Sequence, residues 1–319
     1  MSNYHKLLLV LDPDKPLGRV LAYAVELARA HGAVLHICVP VMLATSVEST
    51  GAPERSLENK LHLARVQAWL QAGLAQLGSS IHGVSIVAIY PWSLSLHDSL
   101  IDTQERVDPD LLIKLQEEYS LDGRPFIMPL DWRLLRECRA PVLLQSAAAV
   151  HGPEKVMAAL DLVAQGQGPS LDEQVVRAAL QLAAPFGAAV HLVHAFDFAS
   201  MAGWNHEMAT QRRHCEARLA RIAGYHAIPA QNCHLLDGRP LATLSHLVVP
   251  QQCDVMVIGR SPHEALDTCL GNTAERIVAR HPACCLLVVG ALDHPSLPRS
   301  GWRSLRERLD SLVGVLFAD

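Results

Sequence analysis

Short, continuously apolar runs alternate along this chain with longer stretches whose apolar residues recur at three- and four-residue spacing. Leu7-Leu-Leu-Val-Leu11 is of the first kind, apolar at every position, as a strand is when helices cover both its faces. Leu17 to Ala30 is of the second kind, with Val20, Leu21, Ala24, Leu27 and Ala28 on one helical stripe. Gly32 stands where a helix C′ glycine belongs. The pattern continues with a strand over Val34–Pro40, a helix over Ser56–Leu77 and a strand over Val84–Tyr90. Trp92–Ser120 reads as a longer stretch rich in Asp and Glu. Pro125–Met128 and Pro141–Leu144 read as the last two strands of this unit, and Asp131 is placed to N-cap the short helix between them.

From Val156 the same order returns. A strand over Val156–Leu160 ends on Asp161, then come a helix over Leu171–Pro185, Gly187, and a strand over Val190–Ala195. A helix over Ala202–Ala223, a strand over Cys233–Leu236 and a helix over Leu241–Val249 follow. Val255–Ile258 and Cys285–Val289 close the unit as buried strands, with a helix opening at Gly271-Asn272-Thr273 between them. The texts Gly32-Ala-Val-Leu-His-Ile-Cys-Val and Gly187-Ala-Ala-Val-His-Leu-Val-His run in parallel, so the second unit is a copy of the first. The predicted fold class is α/β: two tandem doubly wound parallel sheets of five strands, over residues 1–150 and 151–291. One continuous sheet, or lobes that do not superimpose, would contradict the duplication. Residues 292–319 add an amphipathic tail helix carrying Trp302, Leu305, Leu309, Leu312, Leu316 and Phe317. It packs on its own body or on a second copy of the chain, which would make a homodimer. Its polar face mixes both charge signs, which argues against a membrane surface.

Composition narrows the function. At 319 residues the chain suits two domains, and half of its residues are apolar. A net charge of −5 gives no general attraction to nucleic acid. The apolar run after the start is too short for a signal peptide or a membrane span, which predicts a cytoplasmic protein. Eight cysteines contain no C-x-x-C pair, and most lie in or beside apolar runs, as buried thiols do. Among seventeen histidines, His191 and His194 sit on one strand at a spacing that points them to opposite faces, so no metal site is expected beyond a nucleotide-bound Mg. No nucleophile elbow, complete Walker loop or zincin motif is present, so no catalytic residues are assigned.

The stretch from Asp254 to Val289 holds the candidate chemistry. A strand ending on Gly259, a loop, and a helix start at Gly271 together aim unpaired backbone N–H groups at one point, which suits a phosphate. Val257-Ile-Gly259, Gly271-Asn-Thr-Ala-Glu275 and the closing Leu286-Leu-Val-Val289 resemble universal stress protein domains. Pro129-Leu-Asp-Trp-Arg-Leu-Leu-Arg-Glu-Cys138 and Leu270-Gly-Asn-Thr-Ala-Glu275 are similar to the tandem, E-type subgroup of that family. The resemblance implies a cytoplasmic stress-response binding module that takes ATP or another adenine nucleotide in its second domain. Its site would be Asp161 and Ala195 on the nucleoside, with Gly259, Arg260, Ser261, Gly271, Asn272 and Thr273 on the phosphates. The family spacing is Gly, two residues, Gly, nine residues, Gly-Ser or Gly-Thr. Here Pro262 replaces the second glycine, eight residues precede Gly271, and Asn272 replaces Ser or Thr. Losing one donor to a charged phosphate costs about 1.5–3 kcal/mol, or roughly tenfold to 150-fold in affinity. No glycine loop follows Phe126-Ile-Met-Pro129 in the first domain. The family pairs its domains through their last strands, which implies an intramolecular pseudo-dimer joining Val142–Gln145 to Cys285–Val289. Two rival readings remain: slow ATP hydrolysis at the same site, with Asp161 ordering a water, and a lipid or hydrophobic-ligand binder using an apolar cleft in the first domain and the Trp302–Phe317 helix.

Overall fold

The structure, a computed structural model, describes residues 3–42, 57–93, 95–117, 130–149, 151–163, 171–196, 205–247, 253–260 and 284–290. The tail helix, the strand expected at Pro125–Met128 and the helix expected from Gly271 lie outside the described residues. In the first half the elements are β1 (Lys6–Val10), α1 (Gly18–His31), β2 (Val34–Cys38), β3 (Val41–Met42), α2 (Leu57–Gln76), β4 (Ile86–Ile89), β5 (Trp92–Ser93), α3 (Leu96–Val107), β6 (Leu111–Leu115), α4 (Leu130–Glu137) and β7 (Val142–Gln145). The second half has β8 (Lys155–Ala159), α5 (Leu171–Ala183), β9 (Ala189–Phe196), α6 (Asn205–Tyr225), β10 (Cys233–Asp237), α7 (Pro240–Leu247), β11 (Val255–Arg260) and β12 (Cys285–Gly290).

Apolar side chains alternate between two cores, one on each side of the sheet. Leu7 and Leu9 enter the core under α1, α2, α5 and α6, while Leu8 and Val10 enter the core under α3, α4 and α7. Strands dressed on both faces must be apolar throughout, which explains the unbroken runs.

Ten strands form one sheet in the order β10-β9-β8-β11-β12-β7-β6-β1-β2-β4, and β3 pairs with β5 separately. The sheet is therefore continuous, against the expectation of two. Continuity does not remove the repeat, because each half runs third, second, first, fourth, fifth strand outward from the seam's far side. All pairings within a half are parallel. The halves join where β7 and β12 run antiparallel, with Val142 opposite Val288, Leu143 opposite Leu287 and Leu144 opposite Leu286. A fifth strand left alone would present a row of unpaired backbone groups beside apolar side chains, and the seam satisfies both.

The duplication reaches single hydrogen bonds. Gly32 and Gly187 both take left-handed backbone, at φ 67° and 63°, to end α1 and the turn after α5. Asp110 Oδ2 accepts from His5 N and Lys6 N, and Asp254 Oδ2 accepts likewise from Glu154 N and Lys155 N.

One expectation about the strands is corrected. The fourth strand of the first half is β6, inside the stretch read as acidic and irregular, and it stands in the sheet where β11 stands in the second half.

His31, only 4% exposed at the end of α1, packs its ring on Tyr4 with centroids 4.6 Å apart. Burial lowers its pKa from 6.5 to about 4. The folded state thus resists a proton that the unfolded chain takes up below pH 6.5, so stability is full above that pH and falls as pH drops toward 4. The loss should reach about 1–2 kcal/mol at pH 5. Urea unfolding of wild type and His31→Phe at pH 7 and 5 checks this: the variant should lack that part of the slope.

Candidate functional site

Strand order reverses between β1 and β6 in one half and between β8 and β11 in the other. Ligands of open α/β sheets bind outside the carboxyl ends of the strands at such a reversal. Each half therefore offers one place, and the two differ in how that place is filled.

In the second half β8 runs out into Leu160 and Asp161. Asp161 Oδ1 accepts from Val163 N at 3.2 Å, which folds the chain back in a local turn. Asp161 N donates to Asp172 Oδ1 at 2.8 Å, from the first turn of α5. Arg218 on α6 donates to Asp172 Oδ2 at 3.0 Å and to the Leu162 carbonyl at 2.9 Å. Burial raises the pKa of Asp172, against the pull of the Asp161 N–H and the Arg218 guanidinium. Beneath this brace His194, 2% exposed, places Nδ1 2.9 Å from the Leu160 carbonyl and 3.4 Å from the Leu162 N–H. Ala195 follows on β9, buried on the opposite face of the sheet and opposite Leu236 in register.

Gly259 lies near the end of β11, opposite Val289. A Cβ there would sit 2.6 Å from the Leu171 side chain, so the close approach of α5 requires glycine. Arg260, read from the sequence as a phosphate ligand, is engaged elsewhere: its guanidinium donates to the carbonyls of Leu135 and Cys138, the latter at 3.0 Å, in the first half. Gly290, its neighbour across the strands, leaves room for it, since a Cβ there would meet Arg260 Nη2 at 2.6 Å. The structure thus gathers Asp161 and Gly259 at the end of the second-half strands and turns Arg260 into a tie between halves. Ser261, Gly271, Asn272 and Thr273 lie outside the described residues.

Matching Asp110 with Asp254 sets Lys114 in the place of Ile258 and Leu115 in the place of Gly259. Lys114, 5% exposed, reaches Asp131 Oδ1 and Glu117 Oε1, both at 2.8 Å. Burial alone would pull the Lys114 pKa down, but Asp131 and Glu117 outweigh it and the net shift is upward. Asp131, 0% exposed, also accepts from Glu117 N at 2.9 Å. It is therefore not the cap of α4, which begins at Leu130, but an internal anion in the first turn of that helix. Beside Lys114 and Glu117 a cavity of about 430 Å³ opens at the ends of β1 and β6.

Lys114, Asp172 and Arg218 were missed by reasoning from sequence. A lysine inside an apolar run was the available signal for the first, because a buried charge requires a partner. His191 Nδ1 and His234 Nε2 lie 3.0 Å apart as a neutral donor–acceptor pair on β9 and β10, with both pKa values lowered chiefly by burial. Among the described residues no group of three or more His, Cys, Asp or Glu side chains is placed to hold a metal ion. Among them, too, no helix is long and apolar enough to cross a membrane.

The family model described as "Universal stress protein family" matches residues 3–145 and again 153–290. A universal stress protein E of Photorhabdus laumondii is 25% identical over 313 residues, which cover 91% of this chain and 96% of that protein. The Escherichia coli universal stress protein E is 23% identical over 305 residues, covering 91% and 95%. The crystal structure of a functionally unknown Pseudomonas aeruginosa protein superimposes with a TM-score of 0.68 at 23% identity, covering 92% of this chain and 94% of that one.

Proposed function

The chain belongs to the universal stress protein family as a tandem, E-type member, and from that premise we propose that it is a stress-response binding protein whose second half takes ATP or another adenine nucleotide. The observation that supports this reading is the asymmetry between the two strand ends. Gly259 carries no side chain at the carboxyl end of β11, which lets Leu171 at the start of α5 close against the strand, whereas Leu115 takes the equivalent place on β6. A strand that ends on glycine beside a helix start suits a phosphate.

Binding rather than turnover is the reading, because the Asp161 carboxylate is committed through Oδ1 to the turn at Val163. Titration calorimetry of the full chain with Mg-ATP tests the proposal. Saturable binding should weaken at least tenfold in Gly271→Asp, which sets a carboxylate where the phosphates would lie. Equal heats from wild type and variant, or none from either, would rule it out. Phosphate release above a blank, abolished in the same variant, would instead support slow hydrolysis.

A further inference from the structure

The first half has a pocket in the place where the second half is read to hold a nucleotide, but its anion position is already filled. Asp131 brings a carboxylate to the first turn of α4 and takes the Glu117 N–H, the kind of donor a phosphate would need. Lys114, the cation deepest in the cavity wall, is matched by two carboxylates at 2.8 Å. An incoming phosphate would meet Glu117 of the lining as a like charge, with Asp131 buried behind it, and would find the Lys114 charge already matched. Meanwhile most of the surface that the cavity offers is aliphatic, from Leu11, Leu17, Val20 and Leu115, which pack with one core, and Leu96 and Leu130, which pack with the other. At about 430 Å³ it falls within the range of small-molecule sites. Filling such a space with an apolar group releases water from apolar walls, which favours binding.

We propose that the first-half cavity binds a small, uncharged, predominantly apolar molecule and excludes phosphate-bearing ones. Asp131 acts there as a built-in anion that takes the place of a ligand phosphate. The site is independent of the nucleotide reading of the second half, and the two stand or fall separately.

The probe is N-phenyl-1-naphthylamine, an uncharged fluorophore that brightens in apolar surroundings, titrated into the full chain. Saturable binding with a single mass increment in native mass spectrometry is expected. Millimolar ATP or inorganic phosphate should not displace the probe. Leu96→Trp and Leu130→Trp fill the cavity from two helix starts, and each should weaken the probe at least tenfold. Thermal unfolding identifies a variant that has lost its fold, in which case the other one is read. No saturable binding, equal binding in both folded cavity variants, or displacement by phosphate would overturn the proposal.

Discussion

Lys114→Met is expected to destabilise the chain by about 3–5 kcal/mol, the range for stripping the partner from a buried charge. Asp131 is fully buried, and its remaining contact in the ion trio is the Glu117 N–H. Glu117 itself would then face Asp131 with no cation between them. Urea unfolding at pH 7 measures the loss. Lys114→Met combined with Asp131→Asn should recover most of it, because Asn still offers an oxygen to the Glu117 N–H while the charge is gone. If the double variant is no better than the single one, the lysine acts through packing of its stem and not through its charge.

Cutting the chain after Val150 should convert an intramolecular contact into an intermolecular one. Val142, Leu143 and Leu144 are buried against Val288, Leu287 and Leu286, and each full burial of such a side chain stabilises by roughly 1.5–3 kcal/mol. Residues 1–150 alone would expose β7 as an apolar edge with open backbone groups. Because the seam is antiparallel, two copies of one half can meet through the same strand about a two-fold axis. Sedimentation equilibrium should show each half as a dimer at micromolar concentration, and mixing the halves should give a one-to-one complex. Two monomeric halves that ignore each other would mean that the seam contributes little.

Local chemistry made most of the fold legible. Leu7–Leu11, Val255–Ile258 and the stripe from Val20 to Ala28 announce their elements because burial demands an apolar residue at each such position. Gly32 and Gly187 announce their turns because left-handed backbone suits glycine. What escaped was settled at a distance. β6 was hidden because Lys114 interrupts its apolar run, and the charge is tolerated only through Asp131, which the chain supplies later and on another element. Pro125–Met128 looked more strand-like on composition alone. The joining of β7 to β12 was expected only through the family resemblance, because edge pairing depends on which strands finish outermost and no local pattern records that. Arg260 was misplaced for a related reason. A cation beside a glycine suggests a phosphate, but two carbonyls from the other half receive it. Asp172 and Arg218 carry no local signal, because their pairing forms only when α5 and α6 pack together.

Because β7 and β12 run in opposite directions, the carboxyl ends of the two sets of strands point to opposite rims of the slab. A molecule resting at one rim cannot touch the other. Helix α4, about 12 Å long at 1.5 Å per residue, stands between them with Asp131 toward one rim and the Leu135 carbonyl held by Arg260 toward the other. The protein is thus built back to back rather than as a clamp, and among the described residues α4 is a short rod that reaches from one mouth toward the other.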